Sequence, residues 1–388
     1  MKKFFLYSTL IGTSVLGQQV QAIEFDGFLT AGFAVHDQAQ TSGKKLVYLD
    51  EITDDVTFLQ DSKFGLQITA DVAQDMQVVA QILASAEDDN YSMDVEWAYL
   101  DYAASDSVML RAGRIKQPVF LISDYLEVGY AYPWIRPPAE AYSNMPVDSI
   151  IGIEMLYQAQ LGSMNLGIQP YFGSNTEGVP GQPQVNFFAD NYIGMALRLE
   201  NRYFTVQLSS FQTDVSTVDS NPTPQANSEG TAVLSVASLS WDVANFVGYS
   251  EYTTRDIEAD TGTLTPGSGF NAVPFDYLFS DQDGYYVTLG YRMGKYLPHL
   301  TFAAIDSSPA DPAVMPGAPV DLGARQETIT LGLRYELNDS AALKMEYAQI
   351  TVNKNDDDSL NKGLFQRKDS AFESDSTSLI SVAIDVIF

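Results

Sequence analysis

The charged and aromatic residues between positions 111 and 148 are where this 388-residue chain has chemistry to do. Arg111, Arg114 and Lys116 come first. Asp124, Glu127, Arg136, Glu140 and Asp148 follow, interleaved with Tyr125, Tyr130, Tyr132 and Trp134. No bond-making constellation is among them. The chain has no cysteine, which excludes disulfides, thiolate metal sites and thiol nucleophiles. Its two histidines, His36 and His299, lie in no nucleophile-elbow motif, so a Ser–His hydrolase is not indicated and the chain reads as a non-enzyme. Asp356-Asp357-Asp358, with Asn353 and Asn355, has oxygen-rich chemistry suited to Ca²⁺. It lacks the glycine and distal glutamate of an EF-hand register, so it reads as a solvated acidic loop, and no metal or cofactor is expected. What the set at 111–148 can do is electrostatic: fixed charges of both signs acting on ions and small polar solutes at close quarters.

Such charges need a frame, and the frame is a succession of strands. The last residues alternate: Ile380, Val382, Ile384, Val386 and Phe388 point one way, and Leu379, Ser381, Ala383, Asp385 and Ile387 the other. One face is apolar and ends in an aromatic, as in the closing strand of a membrane barrel. Period-2 runs give sixteen candidate strands, near Ile23–Val35, Lys63–Val72, Met76–Ser85, Met93–Tyr102, Ser107–Arg114, Ser149–Leu161, Met164–Gly173, Asn191–Glu200, Tyr203–Thr213, Thr231–Trp241, Asn245–Arg255, Gly284–Met293, Tyr296–Ile305, Arg325–Leu337, Ala342–Val352 and Thr377–Phe388. Thr231–Trp241 and Asn245–Arg255 leave their facing open. The connections alternate between tight turns, such as Gly162-Ser163 and Gly294-Lys295, and long loops, such as His36–Ser62 and Ile115–Asp148. Only Glu87–Ser92 is short where a long loop is due. A sandwich has no reason for that alternation. A transmembrane antiparallel β-barrel with short turns at one rim and long loops at the other does.

The ends and the charge agree with export. Lys2 and Lys3 precede an apolar run from Phe4 to Gly17, and Val20-Gln21-Ala22 has the character of a cleavage site, so residues 1–22 read as a signal peptide and 23–388 as one barrel. No later stretch is long and apolar enough for a transmembrane helix. Removing residues 1–22 leaves 19 Lys and Arg against 50 Asp and Glu, a formal charge of −31. That acidity argues against nucleic acid as a partner. It suits a surface facing lipopolysaccharide, with divalent cations bridging carboxylates to lipid phosphates.

Leu110-Arg-Ala-Gly-Arg114 ending a strand, followed by the 34-residue loop Ile115–Asp148, resembles the fifth strand and third loop of Gram-negative general porins. The loop's Val128-Gly-Tyr-Ala-Tyr-Pro-Trp-Ile-Arg-Pro-Pro138 is similar to a less characterised porin-like group and departs from the general-porin pattern. The resemblance implies a sixteen-stranded outer-membrane barrel in which residues 115–148 fold inward and narrow a pore for small hydrophilic solutes. It also implies a homotrimer and recognition of the C-terminal strand, ending in Phe388, by the barrel assembly machinery. Arg111, Arg114, Lys116, Asp124, Glu127, Tyr130, Tyr132, Trp134, Arg136 and Glu140 are the expected constriction, its basic strip facing its acids. By strand parity Glu154, Arg198, Arg292, Arg334 and Lys344 are the expected pore wall, with Glu200, Glu336 and Glu346 on the same face. Two other functions fit the pattern: a channel specific for one small solute, including an anionic one, and a closed adhesin or receptor barrel.

Overall fold

The computed structural model describes residues 23–37, 47–49, 52–87, 90–145, 149–179, 182–219, 228–259, 281–307, 325–352, 363–366 and 376–388. Its strands in chain order are β1 (Ile23–His36), β2 (Val47–Tyr48), β3 (Lys63–Ala73), β4 (Met76–Glu87), β5 (Asn90–Ser105), β6 (Val108–Lys116), β7 (Ser149–Leu161), β8 (Met164–Val179) and β9 (Gln182–Glu200). The series continues with β10 (Phe204–Asp219), β11 (Ser228–Val243), β12 (Phe246–Ala259), β13 (Gln282–Tyr291), β14 (Tyr296–Ser307), β15 (Arg325–Asn338), β16 (Ala341–Val352), β17 (Phe365–Gln366) and β18 (Ser376–Ile387). Sixteen of these close into one antiparallel barrel in chain order, with β1 paired to both β3 and β18. The remaining two, β2 and β17, pair with each other outside the barrel sheet.

All sixteen expected strands are barrel strands. The main difference is at the long-loop end, where several run further. β8 and β9 continue to Val179 and from Gln182, because the hairpin's backbone ladder persists after the apolar alternation stops; a register shift between Gly173 and Asn175 marks that point. At the opposite rim the chain reverses tightly through left-handed residues, Gly162, Gly294 and the pair Ala244-Asn245.

Facing follows the pleat. On β13, Tyr285, Val287, Leu289 and Tyr291 are exposed on the outer surface, while Tyr286 and Thr288 are buried in the lumen. On β18, Ile380 and Ile384 face out and Leu379, Ser381, Ala383 and Asp385 are buried inside. An apolar exterior around a lumen holding polar residues is the arrangement a lipid surround demands. The two strands of open register are resolved as well: Leu234, Val236 and Ser238 of β11 and Glu251, Thr253 and Arg255 of β12 are buried inward, and Tyr252 is exposed outward.

The barrel is sealed where its ends meet. Gly27 N–H donates to the Phe388 carbonyl at 2.8 Å and Phe388 N–H to the Gly27 carbonyl at 3.0 Å. The Phe388 ring stacks on Phe64 with centroids 6.2 Å apart. It also lies where a Cβ on Gly27 would be, 2.3 Å from the nearest ring carbon, so only glycine lets the closing aromatic sit flat on the seam. Deleting Phe388, or making Gly27→Leu, is expected to cut the yield of folded barrel severalfold, whereas Ser163→Ala in a tight turn leaves it unchanged. Comparing unheated and boiled samples on gels measures this, and a normal heat-shifted band from the Phe388 deletion would contradict it.

Candidate functional site

After β6 the chain turns into the lumen. Residues 117–145 carry two 3₁₀ turns, Ser123–Tyr125 and Gly129–Ala131, and one short helix, α1 (Ala139–Tyr142). Pro118, Pro133, Pro137 and Pro138 each lock φ, so the segment is kinked rather than regular and its own peptide groups are incompletely paired. The barrel wall completes them. Gln207 Nε2 donates to the carbonyls of Pro118, Val119 and Phe120 at 3.1–3.3 Å. Lys344 Nζ donates to the carbonyls of Gly129 (2.6 Å) and Trp134 (2.5 Å), and Arg334 to those of Tyr130 (2.6 Å) and Tyr132 (2.8 Å). Wall carboxylates take the amides: Leu121 N–H donates to Glu251 and Ile135 N–H to Glu346, both at 2.9 Å.

Apolar packing reinforces this clamp. Trp134 and Tyr132 are buried with Leu121, Ile122, Tyr286 and Ala303, and Trp134 Nε1 donates to Thr288 (2.9 Å) and Thr301 (3.2 Å). Val119 and Phe120 join a second core with Tyr171, Tyr192, Phe211 and Leu234 of the inner wall. The fit is close at Gly129, where a Cβ would stand 2.3 Å from Asp385 Oδ1, and at Gly284, where it would meet the Glu140 carbonyl at 2.1 Å. Buried Gln326 ties three loops together: its Nε2 donates to Glu140 (2.8 Å) and to Tyr48 (3.3 Å), and its Oε1 accepts the Leu364 N–H (3.1 Å).

The expected constriction residues therefore divide. Tyr132, Trp134, Arg136 and Glu140 are fastenings. Arg136 bonds Asp61 and Ser381, and buried Glu140 bonds Gln326 and Thr328, so neither presents a free charge. Tyr130 lies under the Arg334 guanidinium, 4.7 Å away, and donates to the Asp339 carbonyl at the tight-turn rim. Asp124 is exposed and acts electrostatically on Arg111, Tyr99 and Glu154. Glu127 is held between Lys63 (2.9 Å) and Lys116 (3.5 Å).

The basic strip is not continuous. Arg111 faces the lumen but is shared by Glu154 (2.9 Å) and Asp101 (3.4 Å). Arg114 occupies the ladder row of Ala98 and Ile151, and Ile151 is 65% exposed on the exterior, so Arg114 belongs to the outer side of the wall and not to the constriction. Two residues three apart on a strand cannot share a face. Lys116, at the strand's end, forms ion pairs with Glu96 (2.7 Å) and Glu127 (3.5 Å).

Of the expected wall, Glu154, Arg198, Arg334 and Lys344 line the interior. Arg292 lies one residue beyond β13 and is gripped by Asp242 at the tight-turn rim, so it is not a wall residue at mid-height. Arg198 pairs with Glu200 (3.2 Å) and Arg334 with Glu336 (2.8 Å), but Lys344 pairs with Asp385 (2.8 Å) rather than Glu346. Asp148 and Asp356–Asp358 lie outside the described residues. Residues not singled out from sequence include Lys63, Asp101, Gln207, Glu251 and Asp385. Each occupies a lumen position of a strand, and charge at a lumen position was the signal available for all but Gln207.

A family model described as Gram-negative porin matches residues 11–358. No curated protein matches the sequence. Among solved structures, the fold is similar to the trimer form of OmpT, an outer membrane protein of Vibrio cholerae (12% identity, TM-score 0.58, covering 95% of this chain and 99% of that one). It is similar to the outer membrane channel DcaP of Acinetobacter baumannii (12%, 0.57, 96% and 99%) and to OmpF of Salmonella typhi in complex with daunomycin (12%, 0.54, 94% and 97%). At such identities the likeness concerns the fold.

The Glu127 clamp has a definite pH range. Burial alone would raise its carboxyl, but Lys63 and Lys116 outweigh that and bring it from 4.5 down to about 2. A depressed carboxyl contributes stability that is full above its unfolded value and lost as pH falls through the folded one. Amide exchange around Glu127, corrected for its intrinsic pH dependence, is expected to stay constant from pH 7 to about pH 5 and to accelerate as the pH approaches 2. Glu127→Gln is expected to show the faster exchange already at pH 7, and unchanged exchange in that variant would show that the clamp does not hold the loop.

Proposed function

The chain belongs to the Gram-negative porin family and is an outer-membrane β-barrel channel, and from that premise we propose that it passes small hydrophilic solutes and ions by passive diffusion. One observation carries the proposal. The inward loop is fastened to β10, β12–β16 and β18, while Asp124 on its free side stays exposed and the Arg198 side chain across from it is 35% exposed. Water therefore reaches both the loop and the wall beside it. The route runs on the free side of the loop, past Gln67, Tyr99, Arg111, Gln169 and Arg198 of the facing wall, below the contact of Val119 and Phe120 with Tyr171 and Tyr192. Residues 115–148 are its constriction, and residues 1–22 are the export signal.

Selectivity in this reading follows local charge. Fixed charges in a narrow passage are screened less than those of outer loops lying more than about 8 Å away, a Debye length at physiological salt. Beside Asp124, Arg111 carries two wall carboxylates and Arg198 carries Glu200, so acids outnumber bases there and cations are favoured. The expected basic strip of Arg111, Arg114 and Lys116 therefore does not set the local charge. Assembly as a homotrimer, contact with lipopolysaccharide, and delivery by the barrel assembly machinery complete the proposal; the trimer form of the Vibrio cholerae protein supports the first.

In planar bilayers the purified protein is expected to give stepwise conductance in KCl, and a silent membrane would overturn the channel reading. Arg111→Ala leaves Asp101 and Glu154 uncompensated, so its reversal potential in a KCl gradient should move toward K⁺. Arg114→Ala, on the outer side, should leave it where it was. Equal shifts in both would refute the assigned facing. Crosslinking in detergent tests the trimer.

A further inference from the structure

Among the described residues, Glu127 is where the loop reaches the β3 and β6 walls through a side chain held by two cations. Its Oε2 lies 2.9 Å from Lys63 Nζ and its Oε1 lies 3.5 Å from Lys116 Nζ, so one carboxylate fills the gap between two ammonium groups. Lys116 is nearly buried at 4% exposure, while Lys63 and Glu127 keep about a fifth of their surface in water. The cluster is thus accessible from one side. Lys63 and Lys116 face Glu127, Glu96 pairs with Lys116 at 2.7 Å, and Tyr132 also acts on Lys63.

The backbone at this point is fixed. Tyr132 donates to the Leu126 carbonyl at 2.8 Å, and the Gly129 carbonyl is held by Lys344. With those carbonyls fastened, Glu127 leaves the lysines by rotating its own side chain; the amides beside it then exchange faster, while the loop stays on the wall. Two ammonium groups aimed at one gap repel each other unless an anion lies between them, and charge-assisted hydrogen bonds to a carboxylate are the strong kind. The gap accepts the carboxylate of Glu127, and any free carboxylate reaching the site presents the same two oxygens.

We propose that Lys63 and Lys116 form a carboxylate-binding subsite in the passage, occupied at rest by Glu127, and that small carboxylate solutes bind there by exchanging with it. This deepens the channel reading and rests on it for the route by which solute arrives. A tethered competitor stands at an effective concentration of millimolar or more, so solute binding is weak and readily reversed. Weak binding is what conduction requires, since a solute held tightly would not leave. The subsite selects one class of anion against a background that favours cations.

The experiment is an NMR titration of ¹³C-labelled propionate against the detergent-solubilised full-length barrel, with propionamide as the uncharged isostere. Propionate is expected to bind Glu127→Gln at least about tenfold more tightly than the unaltered protein, because the variant lacks the tethered competitor. Adding Lys63→Met should abolish that gain, and propionamide should bind neither form. Equal propionate affinity in the unaltered protein and Glu127→Gln, indifference to Lys63→Met, or equal binding of propionamide would each overturn the subsite. If Glu127→Gln gives no heat-shifted band, Glu127→Asp, too short to span both lysines, replaces it with the same expected direction. Conductance of the same samples separates the two proposals. Current without the propionate difference removes the subsite and leaves the channel; the difference without current removes the channel and leaves an anion site.

Discussion

A peptide chain cannot lie inside a barrel unless its backbone N–H and C=O groups find partners, and that requirement governs this lumen. The partners are charged wall side chains matched to backbone polarity. Lys344, Arg334 and Arg255 donate to loop carbonyls, and Glu251 and Glu346 accept loop amides. Several of these ions are also balanced on the wall, Lys344 by Asp385 and Arg334 by Glu336. Cations that look available for solutes in a linear reading are in large part engaged in holding the loop's main chain. The electrostatics of the passage depend on what this fastening leaves over.

Removing one member of such a buried pair strands the other and costs roughly 3–5 kcal/mol. The loop is therefore a rigid part of the barrel, and Asp124 is left exposed on its free side. Trp134 shows how packing and polarity cooperate: its ring is buried against Tyr249 and Tyr286 while its N–H is satisfied by two threonine hydroxyls.

Much of the architecture was legible in the sequence because a barrel strand has one apolar face over its whole length. The terminal strand and β13 read cleanly for that reason. β11 did not, and the cause is physical: Leu234 and Val236 face the lumen but pack against the inward loop, so both faces of that strand are apolar and the alternation is erased. The site was less legible. Arg111 and Arg114 looked like one strip by proximity, yet a three-residue offset puts them on opposite sides of the wall, and Lys116, the last residue of β6, reaches the loop's Glu127 from the strand's end. Glu140 and Arg136 looked like eyelet charges because sequence shows a charge but not its partner, and the partners are distant: Thr328 of β15 and Asp61 in the turn before β3.

The small sheet formed by β2 and β17 has a consequence for how the molecule is built. Tyr48 pairs with Phe365, and their rings pack 4.7 Å apart over Ala34, Ile350 and Leu379 of β1, β16 and β18. These partners are more than three hundred residues apart in the chain. Closing so long a loop has a high entropic cost unless the intervening strands are already in place, so this contact cannot seed folding and belongs to its last stage. It behaves as a clasp that engages only on a finished ring. A barrel with an open seam would lack it, and occupancy of the clasp therefore records completed closure from the side of the molecule opposite Phe388.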